Sequence, residues 1–139
     1  MDLQIRDKRA IVTGATRGIG FAIASALVAE GAEVAICGRG EEGLRDALAQ
    51  LGPTARGKVL DVRDEGALAS WIEEAAGGQG IDIVVSNVST RIDPASPNWW
   101  PDTFEADLMQ HVRVKSLTVP HLKRGGAMLF MASIASVLT

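Results

Sequence analysis

The chain has 139 residues, 47% of them apolar, and a formal net charge of -3. That is enough apolar content for one packed domain and too much for a disordered chain, and the weak negative charge excludes a basic field for nucleic acid. A single cysteine, Cys37, excludes an internal disulfide or a cysteine metal cluster, and no apolar run approaches the about 20 residues of a membrane span.

Short β-rich apolar runs alternate with helical ones along the chain. Residues 9–13 read as a buried strand closed by Gly14. Residues 18–30 read as a helix, with Ile19, Ala22, Ile23, Ala26 and Leu27 at helical spacing and Gly31 as its stop. Residues 33–37 are a second strand, and 41–51 a second helix with Leu44, Leu48 and Leu51 on one face, broken by Gly52-Pro53. A third strand is predicted at 58–61, a third helix at 64–76 and a fourth strand at 81–85. Residues 89–101 read as an irregular loop with three prolines. A fourth helix is predicted from 102 or 103 to about 117, and a fifth strand at 127–132. Strand and helix in strict alternation predict an α/β fold: right-handed crossovers and a doubly wound parallel sheet of Rossmann type, order 3-2-1-4-5, in one domain over 1–139.

Between the first strand and the first helix stands Thr13-Gly14-Ala15-Thr16-Arg17-Gly18-Ile19-Gly20. Glycine here allows a tight turn, a close backbone approach to a pyrophosphate, and close packing of helix on strand. The helix start then offers free N–H groups and a positive dipole end to phosphates. The spacing is G-x-x-x-G-x-G. It is no P-loop, because no Lys-Ser or Lys-Thr follows the last glycine.

This turn resembles that of the short-chain dehydrogenase/reductase family, and further segments fit in the right order. Asp61-Val62 matches the family's acidic position that meets the adenine amino group. Ser86-Asn87-Val88-Ser89 stands where the family has Asn-Asn-Ala-Gly. Phe104 to Leu108 resembles its fourth-helix segment, with Asp107 in place of an active-site asparagine. Ala132-Ser133-Ile134-Ala135-Ser136 resembles the segment with the catalytic serine, and Ser133 is the match. The resemblance spans essentially the whole chain. It implies cofactor contacts from Thr13, Gly14, Thr16, Arg17, Gly18, Ile19, Gly20, Asn87 and Val88 as well as from Asp61 and Val62.

The second strand ends in Cys37-Gly38-Arg39. An acid at such a strand end binds the ribose 2′-hydroxyl of NAD, whereas an arginine favours the 2′-phosphate of NADP. Gly38 removes the repelling carboxylate and leaves space, while Arg39 and Arg17 supply two guanidinium forks. NADP is therefore expected over NAD.

The resemblance also implies a mechanism. A tyrosine acts as general acid/base, with its pKa lowered by a lysine, and a serine orients the oxygen of an alcohol or carbonyl substrate. Hydride passes between the substrate and nicotinamide. Ser133 can be placed, but the Tyr-x-x-x-Lys pair cannot, because the chain contains no tyrosine and ends at Thr139. Two expectations stand open: the N-terminal part of a longer NADP(H)-dependent oxidoreductase, inactive as it stands, or a non-catalytic nucleotide-binding module or fragment. An isolated chain of this length is expected to aggregate or dimerise through an uncharged edge at 127–132. The resemblance implies a homo-oligomer for a complete family member.

Val88 and Ser89 depart from the family's small residues near the nicotinamide end. Aspartate at 107 keeps an asparagine's accepting capacity but adds a charge. Residues 1–9 lack the apolar stretch of a secretory leader, so a cytoplasmic location is expected and the Asn87-Val88-Ser89 sequon is discounted. Neither His111 nor His121 suggests a ligand, and no metal is expected. Cys37 reads as a small packed residue. Trp99 and Trp100 either line a cleft or interface or pack beneath their loop.

Overall fold

The computed structural model describes residues 3–89, 93 and 95–133. Its strands are β1 (Arg9–Thr13), β2 (Glu33–Gly38), β3 (Ala55–Val59), β4 (Ile81–Ser86) and β5 (Leu122–Phe130). The helices are α1 (Gly18–Ala29), α2 (Glu41–Leu51), α3 (Glu65–Ala76), α4 (Trp99–Thr103) and α5 (Gln110–Thr118). A π-helical segment, Phe104–Met109, joins α4 to α5, and a 3-10 turn, Val119–His121, leads into β5.

All strand pairs are parallel, and the sheet has the expected order β3-β2-β1-β4-β5. Successive strand residues point to opposite faces. Ile11, Ala35, Cys37 and Val84 therefore meet Leu68, Trp71 and Ile72 of α3 and Val114 of α5. Their neighbours Ala10, Val12, Val34, Ile36 and Val85 meet Ala24 of α1 and Leu44, Ala47 and Leu51 of α2. Burial on both faces is why β1, β2 and β4 read as continuous apolar runs. The chain crosses to opposite faces after β1 and after β4, so the C-terminal ends of these two strands frame a crevice.

Helix α2 lies where expected, and helix α1 ends one residue early. Asp64 lies outside α3 as its N-cap, accepting from the Ala67 N–H at 3.0 Å. Strands β2 and β4 each run one residue further than predicted. Three elements differ more. Strand β3 starts at Ala55, not at Lys58, because β2 pairs with it in register from Val34↔Ala55 to Gly38↔Val59. It is an exposed edge strand, so its sequence Ala-Arg-Gly-Lys-Val shows no apolar run. The predicted fourth helix begins earlier, at Trp99, and is interrupted by the π-helical segment. Strand β5 begins at Leu122 and ends before Met131. A register shift between Ile81 and Ile83 lets its charged and Gly-Gly start join the ladder.

Trp99 and Trp100 stay exposed and meet each other edge to face at 5.5 Å, rather than packing beneath a loop. Among the described residues, no helix is long and apolar enough to cross a membrane. Residues 134–139, with Ile134 to Ser136 of the serine segment, lie outside the described residues, as do residues 90–92 and 94.

Candidate functional site

The glycine turn lies between β1 and α1, with Gly14 and Gly18 at positive φ, 62° and 59°. Both neighbouring strands stitch it in place. From β2, the Cys37 carbonyl accepts from the Ala15 N–H at 3.3 Å. After β4, the Asn87 N–H donates to Thr13 Oγ1 at 3.0 Å and its Nδ2 to the Gly14 carbonyl at 3.1 Å. Arg17 precedes α1 in extended conformation, and the side chain of this N-cap residue accepts from none of the N–H groups of the first turn.

A groove of about 710 Å³ opens over these strand ends. Of the expected residues, Gly14, Thr16, Arg17, Gly18, Ile19, Gly38, Arg39, Asp61, Val62, Asn87, Val88 and Ser133 line it. Thr13 and Gly20 lie beneath it, fully buried or nearly so. Asp107 sits half-buried on the π-helical segment, where Ala106 rather than Asp107 lines the groove. The space expected at Gly38 is filled: a Cβ there would lie 2.5 Å from Thr16 Cγ2. Cys37, at the groove floor, is buried, and burial pushes its thiol pKa up to about 12, so it carries no thiolate near neutral pH.

Two features escaped the sequence reading. Arg63 lines the groove and holds the Asp61 carboxylate: Nη2 lies 2.7 Å from Oδ2, and Nε 3.1 Å from both oxygens. This hydrogen-bonded arginine holds Asp61 below its ordinary carboxylate pKa. By contrast, neither Arg17 nor Arg39 makes an ion pair among the described residues.

The second feature is a buried polar cluster behind Val88. Gln110 is fully buried. Its Oε1 accepts from Ser86 Oγ at 2.9 Å, and its Nε2 donates to the Val88 carbonyl at 3.3 Å. Nδ1 of His111 lies 2.8 Å from that Nε2 and 2.7 Å from Ser86 Oγ. The role of this nitrogen depends on the His111 tautomer: a bare Nδ1 accepts from the Gln110 amide, and a protonated one donates to Ser86 Oγ. His111, expected from sequence to be a surface or hydrogen-bonded residue rather than a ligand, thus joins α5 to β4, and its ring meets Phe130 of β5 edge to face.

Burial lowers the His111 pKa; a Met131 backbone hydrogen bond and the Asp107 charge oppose this without cancelling it. The unfolded chain then takes up this proton at higher pH than the folded one. Stability falls as pH drops through the ordinary histidine range and goes on falling to the lower folded pKa. His111→Gln should flatten that fall in urea midpoints measured from about pH 8 to about pH 5. An unchanged slope would remove His111 as its source.

A glycine turn at a helix start, at the point where a parallel sheet reverses its crossovers, defines a dinucleotide-binding α/β fold. The chain belongs to the short chain dehydrogenase family, whose sequence pattern matches residues 8–139. It is 32% identical to the uncharacterized oxidoreductase YvrD of Bacillus subtilis, over 99% of this chain and 55% of that protein. It is 31% identical to the 3-oxoacyl-[acyl-carrier-protein] reductase FabG of Salmonella typhimurium, over 98% of this chain and 59% of that protein. A short chain dehydrogenase from Burkholderia cenocepacia, solved in complex with NADP, superposes with a TM-score of 0.88 at 28% identity, over 96% of this chain and 58% of that one. The chain thus spans somewhat more than half the length of these relatives.

Proposed function

We propose that this chain forms the nucleotide-binding part of an NADP(H)-dependent oxidoreductase that moves hydride between nicotinamide and an alcohol or carbonyl carbon. The observation that carries the reading is the meeting in one groove of the α1 N-terminus, Gly38 and two arginines, Arg17 and Arg39, that make no ion pair among the described residues. The residues present fit the cofactor. The groove volume is in the range of small-molecule sites, about 300–1,000 Å³. A Cβ at Gly18 would meet nothing within 4 Å, so the turn is open on its outer side.

The helix start and Gly14 to Gly18 would hold the pyrophosphate, Arg17 and Arg39 the 2′-phosphate, and Asp61 and Val62 the adenine. Asn87 and Val88 would form the wall at the nicotinamide, which supplies or accepts the hydride when bound. Ser133, exposed at the groove mouth, would orient the substrate oxygen. Asp107 would act at one remove, through its charge on His111. The 139 residues hold no tyrosine. The reading therefore gives them nucleotide binding and substrate orientation and no proton-transfer group, so that by themselves they are inactive. A cytoplasmic homo-oligomer is the setting we infer for the whole protein.

Replacing Arg39 by alanine should weaken NADPH binding about tenfold while leaving NADH within about twofold, the loss of one charge-assisted contact at an exposed site. Fluorescence titration of both nucleotides measures this. Unchanged constants for both would overturn the cofactor assignment.

A further inference from the structure

We propose that Arg63 is a specificity-determining residue: by clamping the Asp61 carboxylate it leaves Arg39 free to hold a 2′-phosphate. The inference rests on the reading of the groove as an NADP site and goes beyond it, to a residue outside the glycine turn and the β2 end.

The geometry begins with a backbone hydrogen bond. The Leu60 N–H donates to the Gly38 carbonyl at 3.0 Å, pinning the loop after β3 to the residue before Arg39. Asp61 follows at once, so its carboxylate belongs to the same corner of the groove as Arg39. A bare carboxylate there would do two things. It would draw the Arg39 guanidinium to itself, and it would repel a dianionic phosphate. Arg39 already counts among the charges that favour ionised Asp61, behind the larger effect of Arg63.

Arg63 answers both. Its Nε and Nη2 cover the two oxygens, and its own backbone N–H donates to Oδ1 at 2.9 Å. A carboxylate has about four lone-pair sites; three N–H donors of Arg63 engage them, one shared between both oxygens, so no paired face remains for a second guanidinium fork. The link spans only two residues of one loop and needs no ligand to form. The remaining arm of Arg63 reaches the opposite wall, with Nη1 3.9 Å from Asp102 Oδ1. These pairs are exposed and add little to stability. Their effect is to decide which arginine the carboxylate holds.

The test is titration of NADPH and NADH against the unaltered chain, Arg63→Ala, and Arg63→Ala combined with Asp61→Asn. Arg63→Ala should cut the NADPH-over-NADH preference roughly tenfold, and the added Asp61→Asn should restore most of it, because the released charge is then absent. Equal weakening of both nucleotides, an unmoved ratio, or no recovery in the double variant would overturn the proposal. An unaltered chain without preference for NADPH would overturn the cofactor reading and this inference together. A preference lost in Arg39→Ala but kept in Arg63→Ala would overturn this inference alone.

Discussion

Replacing Gly20 by alanine is expected to destabilise the chain by about 3 kcal/mol, the upper end of overpacking costs, and to abolish measurable nucleotide binding. A Cβ at this position would fall well inside van der Waals contact of both the Gly14 carbonyl oxygen and Asn87 Nδ2. The first of these is backbone, so no rotamer change relieves it. The second is the donor that ties β4 to the glycine turn. Either α1 moves away from the turn or the Asn87 stitch breaks, and both displace the N–H groups that would face a phosphate. The midpoint of thermal unfolding should fall by roughly 10 °C. Gly18→Ala is the useful contrast. It meets nothing, so its cost is confined to the positive φ of 59°. Equal losses in the two variants would refute the packing argument.

Gln110→Ala is expected to cost about 3 kcal/mol, from a cavity and from stranded hydrogen-bonding groups together. The amide is buried and uses both ends, toward Ser86 on one side and toward Val88 and His111 on the other. Truncation leaves the Val88 carbonyl without that donor and empties the space between α5 and the end of β4. Gln110→Met, close in volume, should recover the cavity part but not the hydrogen-bond part. Urea unfolding with an unchanged m-value separates the two. A loss below about 1 kcal/mol for Gln110→Ala would mean that water takes over the amide's role.

The parts of the fold legible in the sequence are those with strong local signals. Gly18 to Ala29 and Glu41 to Leu51 repeat apolar residues at helical spacing and end at glycines, and β1, β2 and β4 are apolar on both faces. Strand β3 was misplaced because hydrogen bonding to β2, rather than burial, holds Arg56, Gly57 and Lys58 extended. The start of β5 was hidden because Lys123, Arg124 and two glycines look like a loop, yet Lys123 is held by Asp82 at 3.0 Å. Nothing in Phe104 to Met109 announces a π-helical segment, since one extra residue per turn leaves no mark on so short a pattern.

The site was legible in the same uneven way. The glycine turn and the arginine at the end of β2 are contiguous motifs, and both line the groove. The grouping of Ser86, Gln110 and His111 joins residues 24 and 25 positions apart, through pairings that exist only once β4 and α5 are packed. Arg63 did leave a signal, an arginine two residues after an acid. Its meaning depends on the Leu60–Gly38 hydrogen bond that sets the loop beside Arg39.

Arg17, Arg39 and Arg63 all lie at the exposed rim, while Thr13, Gly20, Ser86 and Gln110 beneath them are sealed. The groups that fix the shape of the glycine turn from below are thus embedded in the core, and those that would choose between the nucleotide's two forms lie on the surface, where side-chain pairs add little to stability. Cofactor choice is in this sense a detachable trait. It could drift or be engineered through a few surface codons without passing through an unfolded intermediate sequence, whereas the capacity to bind a dinucleotide at all could not be altered so cheaply.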